Sequence, residues 1–222
     1  MSLNEFRIAA VLIEFRILAV LIGYAIGLFQ TAYIVGRLKG IDIREHGSGG
    51  AGATNINRTL GAKFGIFVFL IDVLKGIAAF TVPAILFGGG GTFLGAGFVL
   101  PGIYGAIGCV LGHSFPFYLN FKGGKGVAST IGFMMAIDIR MFLIASATGI
   151  ILVALTKYIS AASLALAAMM PVILYFFGYT AEEVFASAII SILIWYLHRA
   201  NIMRLIKGEE NKFSFRKKKE VA

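Results

Sequence analysis

The stretch Lys122-Gly123-Gly124-Lys125-Gly126-Val127 separates two apolar runs. With three glycines and two lysines before Val127, it suits neither a helix nor a strand. Glycine costs about 1 kcal/mol in a helix interior relative to alanine. Such a stretch does suit close wrapping around an anion. It has no Cβ atoms to block approach, it offers backbone N–H donors, and two ammonium groups lie beside them.

The runs on either side decide the fold class. Of 222 residues, 59% are hydrophobic and only 14% charged, and the mean hydropathy is +0.88. A soluble domain is nearer 45–50% apolar, with about a quarter charged. The chain therefore reads as an all-α integral membrane protein. Seven spans are expected, near Ile17–Gly36, Phe64–Phe87, Phe98–Phe117, Val127–Ile137, Met141–Thr156, Ala161–Phe177 and Val184–Leu197. A span needs about 20 residues, so the fourth is short. Small residues on the fifth and sixth spans (Ala145, Ser146, Ala161, Ala162, Ser163) suit close helix packing. Gly88–Gly91 reads as a flexible turn. Glu5–Ile13 and Glu14–Ile22 are near-copies, EFRIAAVLI and EFRILAVLI. Residues 1–16 are read as an extension or interfacial helix, 17–212 as one membrane domain, and 213–222 as a basic tail.

The charges set an orientation. With the N-terminus outside, the loops at 37–63 and 118–126, the turn at Lys157 and the C-terminal segment all face the cytoplasm. That leaves Arg7, Arg16 and Arg140 outside and Lys75 within a span, as the positive-inside rule requires. The net charge of +9 is thereby assigned to topology and anionic lipid rather than nucleic acid. A lone cysteine, Cys109, excludes an internal disulfide. Three scattered histidines with few carboxylates point away from a metal site.

Three segments then fall on one face. The first, GSGGAGATNINR at 47–58, offers closely spaced N–H groups, the hydroxyls of Ser48 and Thr54, the amide of Asn55, and Arg58. A guanidinium pairs with phosphate in a planar, bidentate way. The plain alternative is a flexible loop, or small residues packed between helices. Neither this segment nor 122–127 matches G-x-x-x-x-G-K-[ST]. The second, HSFPFYLNFKGGKGVAS at 113–129, carries His113 at a helix end, where a backbone carbonyl is its expected partner. The third, HRANIMRLIKGEENK at 198–212, places His198 and Asn201 on one helix face, beside Arg204 and Glu209. Positive-inside anchoring explains its arginines and lysines, but not that face. Asp72 and Lys75 also share a face and read as a structural ion pair anchoring the second span. There is no H-x-x-x-x-D motif and no G-x-S-x-G elbow.

Taken together, in this order and spacing, the three segments resemble the three motifs of the bacterial acyl-phosphate:glycerol-3-phosphate acyltransferases (the PlsY family). The likeness covers about residues 20–212, and the Asp72/Lys75 pair fits it. Two positions depart: Gly50 stands where asparagine is usual, and Ser129 where threonine is common. The resemblance implies a seven-helix enzyme of the bacterial inner membrane, its active site facing the cytoplasm. It would transfer an acyl chain from acyl phosphate to the 1-hydroxyl of sn-glycerol 3-phosphate, without cofactor or metal. A soluble enzyme would supply acyl phosphate. Gly47, Ser48, Gly49, Gly52, Thr54, Asn55, Arg58, Lys122, Gly123, Gly124, Lys125, Gly126, His198, Asn201, Arg204 and Glu209 would bind substrate. Of these, Ser48, Lys125, His198 and Asn201 would lie nearest the chemistry. The general base is open between His198 and a substrate phosphate, with substrate-assisted transfer preferred. A membrane transporter for a small anionic solute is the competing class, and it predicts access from both faces.

Overall fold

The computed structural model describes residues 3–88 and 96–213, which form ten α-helices and two short 3₁₀ turns. Most of the turn at Gly88–Gly91 and nearly all of the tail at 213–222 lie outside the described residues.

Both copies of the repeat lie in one helix, α1 (Leu3–Gly27). The first span is then broken at Leu28–Gln30 and resumes as α2 (Thr31–Leu38). A break inside an apolar span frees backbone groups that need partners. Here the buried Gln30 Nε2 takes the carbonyls of Gly27 (3.2 Å), Gly112 (3.2 Å) and His113 (3.0 Å). Next come α3 (Ala53–Leu60), α4 (Ala62–Phe87), α5 (Ala96–Ser114), α6 (Val127–Ile137), α7 (Ile139–Thr156), α8 (Ile159–Phe176), α9 (Ala181–Leu197) and α10 (Arg199–Ile206).

Among the described residues, five helical segments are long and apolar enough to cross a membrane: Glu14–Leu38, Ala62–Phe87, Val99–Leu119, Ile139–Thr156 and Ile159–Phe176. A sixth arises if α9 and α10, bent by 59°, count as one span. Of the seven expected spans, the fourth and the seventh fall on helices shorter than 18 residues, α6 and α9. The fourth expected span, α6, has 11 residues, or about 16 Å at 1.5 Å each.

Helices surrounded by lipid gain little from apolar burial against one another, so close fit has to hold them. Glycine supplies it. A Cβ at Gly23 would stand 1.9 Å from the Gly105 carbonyl oxygen, and one at Gly108 2.0 Å from that of Val20. These pairs bring α1 onto α5 at backbone contact. Gly105 meets α4 in the same way, at the Ala79 carbonyl (2.1 Å). Gly76 meets the Ser129 carbonyl (1.9 Å) and Gly132 the Val73 carbonyl (2.0 Å), which joins α4 to α6. Helix α5 is thus the central column, and α7, α8 and α9 complete the bundle around a core that includes Phe133, Met141, Met170 and Ile190. Outward residues such as Leu70, Ile85, Leu155 and Phe176 are exposed and apolar.

An extra methyl at a crossing has no room, and overpacking costs about 1–3 kcal/mol. Gly105→Ala should therefore lower the unfolding temperature in detergent. Gly149→Ala, where nothing lies within 4 Å, should leave it unchanged or raise it.

Candidate functional site

The loop before α3 is held in shape from within. Asn55 sits on the first turn of α3 and is 2% exposed. Its Oδ1 accepts from the Ser48 N–H (2.8 Å). Its Nδ2 faces the carbonyls of Ile43 (3.0 Å), His46 (2.9 Å) and Gly50 (3.0 Å). The amide expected to meet substrate is therefore committed to folding the loop around itself. Gly47 has φ +60°, and a Cβ there would stand 2.2 Å from Asn55 Oδ1, so only glycine fits. Gly49 is also left-handed, at φ +73°. Thr54 and Arg58 are on α3, not in the loop. Gly52 is its N-cap. Ser48 is exposed.

The KGGKG segment is organised by the end of α5. The Gly124 N–H donates to the His113 carbonyl (3.0 Å) and the Gly123 N–H to that of Ser114 (3.1 Å). These two donors satisfy helix-end carbonyls, so the expected cradle of N–H groups does not include them. The Gly123 carbonyl accepts from the Ala51 N–H (3.4 Å), and Arg44 reaches the Leu119 carbonyl (3.1 Å). The first and second segments are thereby tied together. Lys122 is exposed. Gly126 has φ +75° and caps the start of α6. His113 departs from its expected carbonyl partner, since its Nδ1 lies 2.8 Å from Lys75 Nζ.

Lys125 turns inward and donates to Asn201 Oδ1. Asn201 Nδ2 in turn donates to Glu210 Oε1 (3.0 Å), and Arg204 Nε donates to Glu210 Oε2 (2.8 Å). Glu209, the expected acid, is exposed, and its N–H closes the turn on the Arg204 carbonyl (2.8 Å). Glu210 is the buried one, at 7% exposure. The sequence offered one signal for this. Gly208 takes φ +71°, the reversal that ends a helix and returns the chain past its own last turn.

His198 lies where α9 gives way to α10 and is buried. Its Nδ1 is 2.8 Å from the Ile194 carbonyl oxygen. A carbonyl only accepts, so Nδ1 carries the proton and Nε2 presents a lone pair. Burial, with Arg204 and Arg58 acting in the same direction and Glu210 opposing, pushes Lys125 down to about 8. Arg58 is lowered mainly by burial; Glu210 offsets part of this and Arg204 adds to it. The structure therefore gathers Arg58, Lys125, His198, Asn201, Arg204 and Glu210 from three distant segments.

The chain matches the family described as glycerol-3-phosphate acyltransferase over residues 17–208. It is 39% identical over 192 residues to a glycerol-3-phosphate acyltransferase of Clostridioides difficile (strain 630), covering 86% of this chain and 92% of that one. It is 35% identical over 180 residues to one from Aquifex aeolicus (strain VF5), covering 81% and 90%. Its fold matches the crystal structure of PlsY (YgiH), an integral membrane glycerol 3-phosphate acyltransferase, in the glycerol 3-phosphate form. The TM-score is 0.79 at 33% identity, covering 90% of this chain and 96% of that chain. The lysophosphatidic acid form of the same protein gives a TM-score of 0.77 at 32% identity, with the same coverage.

Asn55→Ala removes one acceptor and the two N–H donors shared among three carbonyls in a buried site, and each hydrogen bond carries about 1 kcal/mol. The unfolding temperature should fall clearly. Asn55→Asp should not restore it, because a carboxylate has no N–H for the carbonyls of Ile43, His46 and Gly50.

Proposed function

Because the chain belongs to the glycerol-3-phosphate acyltransferase family, we propose that it transfers a fatty acyl group from acyl phosphate to the 1-hydroxyl of sn-glycerol 3-phosphate. Lysophosphatidic acid and inorganic phosphate are the products. The supporting observation is the convergence of Arg58, Lys125 and Arg204 on Asn201, Glu210 and His198. Such a cluster suits a reaction with a phosphate on each substrate.

Acyl phosphate is already activated, so the protein mainly has to hold the glycerol hydroxyl against the carbonyl carbon. Positioning of this kind supplies about 7–11 kcal/mol of a barrier. Arg58 and Lys125 bind phosphate, Arg204 adds charge through its pair with Glu210, and Ser48, Thr54 and Lys122 approach from the exposed side. The first turn of α6 begins two residues after Lys125, beyond the Gly126 cap, and its leading N–H groups have no helical partner. They suit the second phosphate or the oxyanion, where one donor is typically worth about 3 kcal/mol. As the new ester C–O bond forms and the acyl C–O bond to phosphate breaks, the leaving phosphate needs a proton. The glycerol hydroxyl loses one. Transfer between them balances the reaction without a protein base. His198 Nε2 accepts the hydroxyl hydrogen bond and aims the oxygen.

In the bilayer we place seven helical crossings, counting α6 and α9, with the N-terminus outside. The three segments and the C-terminus then face the cytoplasm of a bacterial inner membrane. This follows the arginine and lysine bias. A soluble enzyme supplies the acyl phosphate.

The reading is tested by giving purified protein acyl phosphate and glycerol 3-phosphate. Lysophosphatidate and phosphate should appear in equal amounts, and acyl-CoA should not substitute. Absence of product with acyl phosphate would overturn it in favour of an anion carrier. His198→Ala should raise the KM for glycerol 3-phosphate by about tenfold, the worth of one hydrogen bond, with kcat largely retained. Collapse of kcat at saturation would make His198 the base instead. Lys125 carries its charge below its pKa of about 8 and loses it above. Since kcat/KM follows the free enzyme, its value for glycerol 3-phosphate should fall as pH rises through about 8. Lys125→Arg should flatten that fall.

A further inference from the structure

Below the KGGKG loop lies a buried charged group that the transfer chemistry leaves unused. Asp72 and Lys75 are one turn apart on α4, with Nζ 3.2 Å from Oδ1 and side chains 2% and 3% exposed. A buried ion pair is weak evidence for stability, because desolvation offsets its attraction. Its partners suggest another use. Lys75 Nζ donates to the Phe29 carbonyl (2.9 Å) and to His113 Nδ1 (2.8 Å). The Thr31 hydroxyl donates to Asp72 Oδ1 (3.0 Å). An ammonium only donates, so His113 Nδ1 is the lone-pair nitrogen and the neutral ring carries its proton on Nε2.

That far edge of the ring lies directly under the loop. A Cβ on Gly124 would stand 2.1 Å from His113 Nε2 and 2.6 Å from the Ala51 carbonyl oxygen. The backbone carbonyls of His113 and Ser114 hold the Gly124 and Gly123 N–H groups. The next residue is Lys125, whose Nζ reaches Asn201.

We propose that Asp72, Lys75 and His113 are positioning residues for the glycine loop. Lys75 fixes the tautomer and rotation of the His113 ring, the ring sets the height of Gly124, and Gly124 sets where Lys125 meets phosphate. The acyltransferase reading enters only in what Lys125 binds.

Two readouts test this. The first is the kinetics of glycerol 3-phosphate use. The second is labelling of Lys125 by acetic anhydride as a function of pH, followed by mass spectrometry. His113→Asn keeps an acceptor for Lys75 but removes the far ring edge. It should raise the KM for glycerol 3-phosphate at least tenfold, with kcat within about threefold. It should also move the Lys125 labelling midpoint from about 8 toward the ordinary 10.5. Gly124→Ala should be damaging in the native background and less than additively so beside His113→Asn, because the nearer of the two atoms its Cβ would strike, His113 Nε2, is gone while the Ala51 carbonyl oxygen remains. Additive penalties, an unmoved labelling midpoint, or a loss of kcat with KM unchanged would each overturn the proposal. Asp72→Asn with Lys75→Met removes both charges together and avoids stranding one of them. It should show the same KM rise, and native KM in that folded protein would also overturn the proposal. Protein that makes no lysophosphatidate would remove the acyltransferase reading, while the labelling series would still decide the positioning role.

Discussion

Lipid outside a bundle and apolar side chains inside it are nearly the same solvent. The helices of this protein therefore depend on backbone contact more than on hydrophobic burial. The glycines of α5 are the clearest case. Gly108 and Gly112 let the Val20 and Tyr24 carbonyls of α1 come close, and Gly105 does the same for the Ala79 carbonyl of α4. A helix gripped this way cannot rotate or slide without collision. Its C-terminal end is consequently a fixed point, and the loop that carries Lys125 begins there.

The two polar clusters at this end differ in kind. Asp72, Lys75, Thr31 and His113 are mutually satisfied and sit within the bundle. Among the described residues, Arg58, Lys125 and Arg204 face a single carboxylate, Glu210, so positive charge is in excess. Packing cations together out of water is unfavourable, and the lowered pKa of Lys125 expresses that cost. An arriving phosphate removes both the repulsion and part of the desolvation penalty. The excess of positive charge therefore suits the anion binding proposed above.

Much of this was legible in the sequence, but unevenly. Long apolar runs gave α4, α5, α7 and α8 because hydropathy is a local property. Helix α3 was read as loop, since an eight-residue polar helix has no such signature, and the breaks that separate α2 from α1 and α10 from α9 left no mark in hydropathy. Lys125, Asn201 and Arg204, singled out from the sequence, meet in one hydrogen-bonded cluster with Glu210, and Asp72 and Lys75 form the expected ion pair. Adjacent Glu209 and Glu210 could not be distinguished by composition. The direction of each is set by the reversal at Gly208. Asn55 and the N–H groups of Gly123 and Gly124 had the right chemistry for an anion, yet the backbone claimed them first. Hydrogen-bond partners distant in sequence decide such allocations. The substrates came from family likeness and not from spacing or charge.

Helix α6 has only 11 residues, about half the length needed to traverse the hydrocarbon of a bilayer of about 30 Å. Irregular backbone at such depth persists only against protein or water, and the loop before α6 has both α5 and the first segment to lean on. The apolar wall that α6 supplies is correspondingly short. In the proposed transfer, a polar alcohol from water and a chain anchored in lipid would meet here, each still mostly in its own solvent. The shortness of one helix thus gives the protein an internal shoreline, and the glycine loop lies along it.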